Sequence, residues 1–377
     1  MTRLTDLETP CLLLDRARVE KNAAAMIARC RALGVTLRPH VKTPKSLDIA
    51  RITQGGEIGP VTVSTLREAE HFARHGYRDI LYTVGIIPAK LDRLTRIQRE
   101  TGATVRIVLD SQYVAEGIAG YARNIETTIE ALIEIDCGEH RSGISPDDSS
   151  LLTIASTLQA APGVTLVGVI THAGHSYAEN DIDAVRALAA HERDTCIAAA
   201  EKLRQNGHDC PVVSVGSTPT ILHADHLEGV TEARCGVYAL WDLAQASRGM
   251  CSLDDIAATV LTTVIGHNRQ GNCIIIDAGA LALSKDIGAN RFMPAADYGI
   301  LCDAVTATPL TPLSVNQVHQ EHGTVDIQDP AWFERLPIGT QVRIMPNHTC
   351  MTCAAHDVYH VIQGDQVIDN WGRINGW

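Results

Sequence analysis

The chain contains, at residues 37–45, the stretch Leu37-Arg38-Pro39-His40-Val41-Lys42-Thr43-Pro44-Lys45. Residues 37–41 predict a short buried strand. Thr43 and Pro44 predict a helix start, because a hydroxyl can cap a helix and proline fits its first turn. Lys42 then lies at the mouth of a strand–helix fold, where active sites collect. A partly desolvated lysine there has a lowered pKa and can form a Schiff base, although a solvated lysine beside a helix start fits the stretch equally well.

Outward from this stretch, short apolar runs alternate with amphipathic helical stretches. The predicted strands are residues 11–15, 37–41, 61–64, 80–84, 105–110, 132–136, 164–171, 212–215 and 235–240, and the predicted helices include 16–31, 66–75 and 182–206. Strands that are apolar on both faces and are followed by helices indicate a parallel sheet. Eight or nine such units in roughly 230 residues favour an α/β fold of the (β/α)8 TIM barrel type. The glycine motifs of nucleotide-binding open sheets are absent from the sequence.

The pattern changes after about residue 246. Residues 260–267, 273–277, 315–320, 341–345 and 358–362 predict short strands separated by turns, with few helical stretches. We therefore predict a barrel domain at residues 1–246 and an antiparallel β domain at residues 247–377.

Composition restricts the class of protein. The net charge of −12 and the aromatic content of 4% argue against nucleic-acid binding, which needs basic surfaces and stacking side chains. The sequence has no apolar stretch long enough to cross a membrane and no signal-peptide core at its start. Its 11 cysteines follow no repeating spacing and are predicted to be reduced and mostly buried. We expect a cytoplasmic protein.

Three strand ends in the predicted barrel carry residues suited to chemistry. Residues 214–220 combine glycine and hydroxyl groups that can hold a phosphate, and residues 234–238 can add backbone donors; an ordinary turn is the alternative. Residues 134–143 crowd acids, a histidine and Arg141, which suits a carboxylate or a ring nitrogen, or equally a surface ion-pair cluster. Residues 171–177 bring His172 and Tyr177 to the same end, where they could contact a ring or serve structural hydrogen bonds.

A fourth feature lies in the predicted β domain, at residues 346–353. His348 and Cys350 alternate by two, so in an extended chain both side chains point to one side. An imidazole and a thiolate make half of a zinc shell and leave positions open for water or substrate. Cys350 and Cys353 also have the spacing of a redox pair, but that function requires a helix start after a thioredoxin-like strand. Residues 321–323 could add an acid–base partner from a nearby strand.

Taken in order along the chain, these segments resemble one family. The matching motifs are RPHVKT at 38–43, TVST at 62–65, IEID at 133–136, HRSG at 140–143, THAG at 171–174, VGSTPT at 215–220, QEHG at 320–323 and PNHTC at 346–350. Together they look like the fold-type III pyridoxal-phosphate enzymes of the D-serine dehydratase and D-threonine aldolase group. The resemblance covers essentially the whole chain.

This resemblance implies an alanine-racemase-like barrel followed by a β domain, a homodimer, and the cofactors pyridoxal 5'-phosphate and zinc. It implies that Lys42 is the catalytic Schiff-base lysine. The remaining implied cofactor residues are Ser217, Thr218 and Gly236 at the phosphate and Tyr177 and Arg141 near the ring, and the implied metal ligands are His348 and Cys350.

The resemblance also implies the reaction. Aldolases of the group typically carry His-x-Asp at the metal and a Gly-Gly-Gly-Thr phosphate loop, whereas this chain has His348-Thr349-Cys350 and Gly216-Ser217-Thr218, as the dehydratases do. We therefore expect a dehydratase of D-3-hydroxy amino acids, such as D-threo-3-hydroxyaspartate or D-serine. An aldolase is the alternative. A pyridoxal-phosphate carrier without activity is a further alternative, but such carriers are mostly single barrels.

Overall fold

The computed structural model describes residues 2–377, which pack as two compact units. One unit, here called the barrel unit, comprises residues 24–42, 50–236 and 376–377. The other, here called the β unit, comprises residues 2–23, 43–49 and 237–375. Among the described residues, every helix is too short or too polar to cross a membrane.

The secondary structure alternates as predicted in the first two thirds of the chain. The strands are β1 (Thr2–Arg3), β2 (Cys11–Asp15), β3 (Thr36–Leu37), β4 (Val61–Val63), β5 (Asp79–Tyr82), β6 (Thr104–Leu109), β7 (Ile129–Ile135), β8 (Val164–Thr171), β9 (Val212–Val215), β10 (Glu232–Ala233), β11 (Ala258–Asn268), β12 (Cys273–Ile276), β13 (Gly299–Asp303), β14 (Pro309–Ser314), β15 (Gln317–Val318), β16 (Gly323–Asp326), β17 (Gln341–Pro346), β18 (Val358–Gln363) and β19 (Gln366–Gly372). The α-helices are α1 (Arg16–Ala32), α2 (Leu47–Ile52), α3 (Leu66–Arg74), α4 (Leu91–Thr101), α5 (Gln112–Ala122), α6 (Ser150–Gln159), α7 (Ile182–Gln205), α8 (Thr218–His223), α9 (Leu243–Ala246), α10 (Ala280–Leu283), α11 (Trp332–Arg335) and α12 (Thr349–Ala354).

The barrel unit confirms the predicted (β/α)8 architecture. Strands β3 to β10 form an eight-stranded sheet in the order β3-β10-β9-β8-β7-β6-β5-β4, and each neighbouring pair is parallel. The segment after β3 closes the sheet, because His40 forms a parallel bridge with Thr62 of β4. The carboxyl ends of all eight strands therefore meet at one rim, which is the rim that carries active sites in such barrels.

Local sequence explains where helices of the barrel unit begin and why its strands are buried. The side chains of Thr65 and Ser111 cap α3 and α5 by accepting hydrogen bonds from backbone N–H groups in the first turn. Strand side chains such as Leu81, Val108 and Leu132 are buried together, as apolar strands covered by helices require.

The β unit is built on one large sheet. Strand β2 lies at its centre, antiparallel to β11 and parallel to β18. The sheet continues through β12, β16 and β15 on one side and through β19 and β1 on the other, while β17 joins β11 to β13, which pairs with β14. The strand pairs of this sheet are antiparallel apart from β2 with β18, so the predicted antiparallel domain includes one parallel pair.

The division between the units differs from the predicted boundary at residues 246/247. The β unit already includes residues 237–246, where the carbonyl of Leu240 accepts from the backbone of Ala257. It also takes in β2, which was predicted to start the barrel. Hydrophobic runs identify buried strands but not their partners, and Leu13 is buried against Leu261 and Ile362 of the β unit.

Two local predictions were wrong. Residues 41–44 form a turn and α2 begins only at Leu47, so Thr43 does not cap a helix. Lys45, directly after the turn, has a positive φ of +46°. Residues 235–240 do not form a strand, because the last barrel strand ends at Ala233 and residues 237–239 form a 3₁₀ helix.

Candidate active site

A cavity of about 320 Å³ lies in the barrel unit. It is lined by side chains and backbone from the ends of successive barrel strands, namely His40, Lys42, Ser64, Thr83, Val84, Gly85, Glu134, Arg141, Ser142, Ile170, Thr171, His172 and Arg234. The lining follows the carboxyl ends of the strands, which is where sequence analysis expected the site. Lys42 and Arg141 are thus the two predicted cofactor residues that line the cavity.

Two histidines of the cavity are held as neutral imidazoles. Burial lowers the pKa of His40 well below its ordinary value and lowers the pKa of His172 to about 3, and the positive charge of Lys42 acts in the same direction at both. The Nδ1 of His172 lies 2.6 Å from the carbonyl oxygen of Gly216. Because a carbonyl can only accept, Nδ1 carries the hydrogen and Nε2 is left as an acceptor.

His40 has the opposite arrangement. Its Nδ1 accepts from the backbone N–H of Lys42 at 3.5 Å, and its Nε2 lies 3.4 Å from the hydroxyls of both Ser64 and Thr83. The geometry therefore assigns the hydrogen of the neutral ring to Nε2. His40 was not predicted as a site residue, although its position two residues before Lys42 on an extended segment was a usable signal.

Arg234 is the cavity residue that sequence analysis missed most clearly. Its guanidinium is buried, and its Nε donates to the hydroxyl of Ser214 at 2.8 Å while an Nη donates to the carbonyl of Thr171. The hydroxyl of Ser214 donates in turn to Glu232 at 2.7 Å. Burial lowers the pKa of Arg234, but the charges of Glu232 and Glu192 oppose that effect. Arg234 thus supplies a rigid cation to the cavity wall.

Strand β7 and the loop that follows it contribute an acid and a cation to the cavity lining. Burial raises the pKa of Glu134, which accepts a hydrogen bond from Ser142 at 2.8 Å. Arg141 lies 3.4 Å from Glu139, and its side chain is 57% exposed. Arg141 therefore belongs to a surface ion pair and also lines the cavity, whereas its contact with a carboxylate or a ring nitrogen stays a prediction.

The predicted phosphate residues Ser217 and Thr218 form hydrogen bonds with the segment that follows β8. Ser217 caps α8, and its hydroxyl contacts that of Ser176 at 2.8 Å. The backbone N–H of Thr218 donates to the hydroxyl of Tyr177 at 3.2 Å. The buried Oγ1 of Thr218 has no hydrogen-bond partner, which is unusual for a buried hydroxyl and suits a site that accepts a ligand oxygen.

Glycine is required beside these residues. A Cβ on Gly236 would lie 2.6 Å from the carbonyl oxygen of His40, and a Cβ on Gly216 would lie 2.0 Å from that of Arg234. Gly216 also has a φ of +148°, which side chains disfavour. The backbone of both positions therefore approaches a neighbouring segment closely, and His40, His172 and Arg234 connect this region to the cavity.

The predicted metal ligands lie in the β unit at the start of α12. His348 is the residue before the helix, in an extended conformation, and Cys350 lies in the first turn. The extended geometry expected for residues 348–350 was therefore wrong, because the backbone turns into a helix at Thr349. Cys350 and Cys353 both belong to this helix, so the helix start that a redox pair would need is present.

His348 and Cys350 nevertheless face each other. The Nδ1 of His348 lies 2.6 Å from a carboxylate oxygen of Asp286, which leaves Nε2 for another partner. Burial by itself would lower the pKa of His348. The hydrogen bond and charge of Cys350, followed by the charge of Asp242 and the hydrogen bond of Asp286, outweigh burial and raise that pKa to about 10. The thiol of Cys350 also lies 3.0 Å from the hydroxyl of Thr43.

These residues suit a cation with open coordination positions. Within residues 2–377 there is no cluster of three or more histidine, cysteine or acidic side chains arranged to hold a metal ion. A carboxylate-oriented imidazole and a thiol are nevertheless a donor set that zinc accepts, and two protein ligands leave room for water or substrate. None of the 11 cysteines in the described part of the chain forms a disulfide, and eight are buried, as predicted.

Comparison with known proteins identifies two domain families in this chain. An alanine racemase N-terminal domain matches residues 14–242, and a serine dehydratase domain matches residues 257–362. The chain is 41% identical to D-threo-3-hydroxyaspartate dehydratase from Delftia sp., over 99% of both chains. The solved structure of that enzyme superposes with a TM-score of 0.96 over the full length of both chains, and a cysteine-to-alanine variant of it has been solved in a metal-free form.

More distant relatives span two reactions. A D-serine dehydratase from Dictyostelium discoideum is 29% identical over 99% of this chain and 98% of its own length. A 3-hydroxy-D-aspartate aldolase from Paracoccus denitrificans is 28% identical over 97% of this chain and 92% of its own length.

Proposed function

The chain belongs to the family that joins an alanine racemase N-terminal domain to a serine dehydratase domain, and on that premise we propose that it is a dehydratase of D-3-hydroxy amino acids that uses pyridoxal 5'-phosphate and zinc. The proposed products are a 2-oxo acid and ammonia. The proposed substrates are D-threo-3-hydroxyaspartate and D-serine, because dehydratases named for both are relatives.

The observation that carries this proposal is Lys42 at the cavity of the barrel unit, among a fixed cation and neutral imidazoles. An amine in a cationic pocket can form a Schiff base, and the surrounding positive charge suits a phosphorylated cofactor and a carboxylate substrate. The unpartnered hydroxyl of Thr218 fits the cofactor phosphate. The paired side chains of His348 and Cys350 fit the metal.

Each residue has a proposed task. Lys42 would hold the cofactor through Nζ and, once released, take the proton from Cα of the substrate. Ser217, Thr218 and Gly236 would bind the phosphate. Tyr177 and Arg141 would contact the rest of the cofactor.

When bound, the cofactor would take up the electron pair released at Cα, and the metal would act as a Lewis acid on the β-hydroxyl. Asp286 would keep Nε2 of His348 directed at the metal through the hydrogen bond to Nδ1.

The decisive experiment is a product assay on D-serine, D-threonine and D-threo-3-hydroxyaspartate. Ammonia and a 2-oxo acid are expected from the substrates that are accepted. Glycine and an aldehyde would instead identify an aldolase, which is the second candidate because aldolases are relatives at 28% identity. The proposed metal ligands favour the dehydratase over the aldolase. Residue 350 is a cysteine in this chain, whereas aldolases of the group typically carry an aspartate at that place. No product from any of the three would favour a non-catalytic carrier.

We also propose a cytoplasmic homodimer. The buried cysteines, none of them in a disulfide among residues 2–377, suit a reducing compartment. Helices α10 and α12 pack together and expose Leu281 and Met351, each about half exposed, which suits a subunit contact. Light scattering after size exclusion would measure the mass, and a monomer would contradict the dimer.

A further inference from the structure

Glu192 is a buried carboxylate outside the cavity lining. It lies on α7, the helix between β8 and β9, and only 1% of its surface is exposed. A buried carboxylate is costly unless donors satisfy it. Its Oε1 accepts from the backbone N–H groups of Ala173 at 2.9 Å and Gly216 at 3.0 Å, and its Oε2 accepts from the hydroxyl of Thr220 at 2.7 Å.

These three bonds join two loops at the rim of the barrel. Ala173 follows β8, whereas Gly216 and Thr220 follow β9. The two loops belong to neighbouring parallel strands, and one carboxylate thus fixes their separation. Residue 216 must be a glycine at this spacing, because a Cβ there would collide with the carbonyl of Arg234.

The network continues from Glu192 to the predicted phosphate residues. The hydroxyl of Thr220 accepts from the backbone N–H of Ser217 at 3.2 Å and contacts the Ser217 hydroxyl at 2.9 Å. The next residue, Thr218, has the buried hydroxyl without a partner. Gly216, whose N–H donates to Glu192, also accepts a hydrogen bond at its carbonyl from the Nδ1 hydrogen of His172. Glu192 therefore bonds directly to the loop that carries the predicted phosphate residues, and Gly216 links it by a second hydrogen bond to the cavity imidazole of His172.

We propose that Glu192 is a positioning residue for the cofactor phosphate: it holds the loops after β8 and β9 at the spacing in which Ser217 and Thr218 receive the phosphate. The inference rests on the proposed use of pyridoxal phosphate. It predicts that the effect of Glu192 is confined to the phosphate end of the cofactor. A purely structural role would instead affect every ligand of the barrel unit alike.

The test compares binding of pyridoxal phosphate with binding of pyridoxal, which has the same ring and aldehyde but no phosphate. In Glu192→Ala, two buried N–H groups lose their acceptor, so affinity for pyridoxal phosphate should fall at least about tenfold. Affinity for pyridoxal should change less than about threefold. Glu192→Gln should stay within about threefold of the native protein for both ligands, since its amide oxygen still accepts from both N–H groups. Equilibrium dialysis measures all four values.

Two further variants keep the test decisive. Glu201→Ala changes an exposed glutamate on the same helix and should behave like the native protein. If Glu192→Ala does not fold, Thr220→Val removes the hydroxyl between Glu192 and Ser217 and should show the same selective loss. An equal loss for both ligands, or no loss for pyridoxal phosphate, would overturn the role of Glu192. Failure of the native protein to bind pyridoxal phosphate would instead overturn the proposed function, and this inference with it.

Discussion

The histidines of the two units differ in the charge that surrounds them. In the barrel unit, burial and the nearby cations Lys42 and Arg234 lower the pKa of His172 to about 3. In the β unit, burial alone would lower the pKa of His348, but the interactions with Cys350, Asp242 and Asp286 outweigh burial and raise that pKa to about 10. The same side chain is thus neutral in one unit and cationic in the other, at neutral pH.

This difference shows what each region is prepared to bind. A cavity with fixed cations and neutral rings attracts phosphate and carboxylate groups. A histidine with acidic partners holds a proton, and a metal cation can replace that proton at the same nitrogen.

Lys42 tests the barrel side of the comparison. Lys42→Ala should lower turnover by at least about 10³-fold, because both the covalent attachment and the proposed base are lost. The absorbance of bound cofactor should disappear with the activity. Lys45→Ala is the matched control and should keep both. Borohydride reduction followed by peptide mapping would contradict the assignment if the cofactor were found on Lys45.

Removal of the metal tests the β side. Chelation should lower the rate of elimination by at least about 100-fold. Losing one hydrogen-bond partner of a metal ligand already costs up to about 100-fold, and losing the metal itself should cost no less. The cofactor absorbance should remain, and added zinc should restore activity. Cys350→Ala should behave like the chelated enzyme, whereas Cys353→Ala should retain its metal, as measured by elemental analysis. Full activity in a metal-free preparation would refute the metal's role.

Asp79 tests whether the barrel's other cations are neutralised. It accepts from both terminal nitrogens of Arg38, at 2.8 and 3.0 Å, and it also pairs with Arg106. Asp79→Asn should lower the free energy of unfolding by about 1 kcal/mol, a value reduced for solvent screening because the side chain is 40% exposed. Asp147→Asn, at an exposed site in the same unit, should have no measurable effect in chemical denaturation.

The same pair predicts a pH dependence. Burial raises the pKa of Asp79, but the hydrogen bond and charge of Arg38 outweigh it and hold the pKa below 3.8. The stabilising contribution is therefore complete above pH 3.8 and is lost as the pH falls through the lowered value. Denaturation curves of the native protein and Asp79→Asn should converge in this acidic range. A gap that widened on acidification would contradict the pairing.

Arg141 should give the smallest effect. Its side chain is more than half exposed and already pairs with Glu139, so its charge is screened. Arg141→Ala should lower cofactor affinity by at most about fivefold, which corresponds to about 1 kcal/mol. Arg141→Lys, which keeps the charge, should recover part of that loss. A loss of about 100-fold would show that Arg141 belongs to the fixed cations with Arg234.

Sequence patterns predicted the barrel well where the signal is local. Strands 164–171 and 212–215 match the structure residue for residue, because apolar runs between clear turns define parallel strands. The same signal misassigned residues 11–15, since it cannot identify a partner strand. Lys42 was predicted from a strand over residues 37–41; the strand β3 is only Thr36–Leu37, but Lys42 still lines the cavity, and its role stays a prediction.

The partners of the candidate residues could not be predicted. Asp286 contacts His348 from 62 residues away in the chain, and Glu192 contacts Gly216 from 24 residues away. Arg234 looked like a source of backbone donors, yet it is a buried cation whose side chain donates to residues of β8 and β9. Such residues become visible only after folding brings distant segments together, because charge alone does not distinguish a surface side chain from a buried one.

The central position of β2 has a consequence for how the chain is made. This strand is synthesised before the barrel strands, but both of its partners, β11 and β18, are synthesised after them. Until then it is an unpaired apolar segment. We therefore expect late, slow completion of the β unit during synthesis, with the exposed strand a target for chaperones.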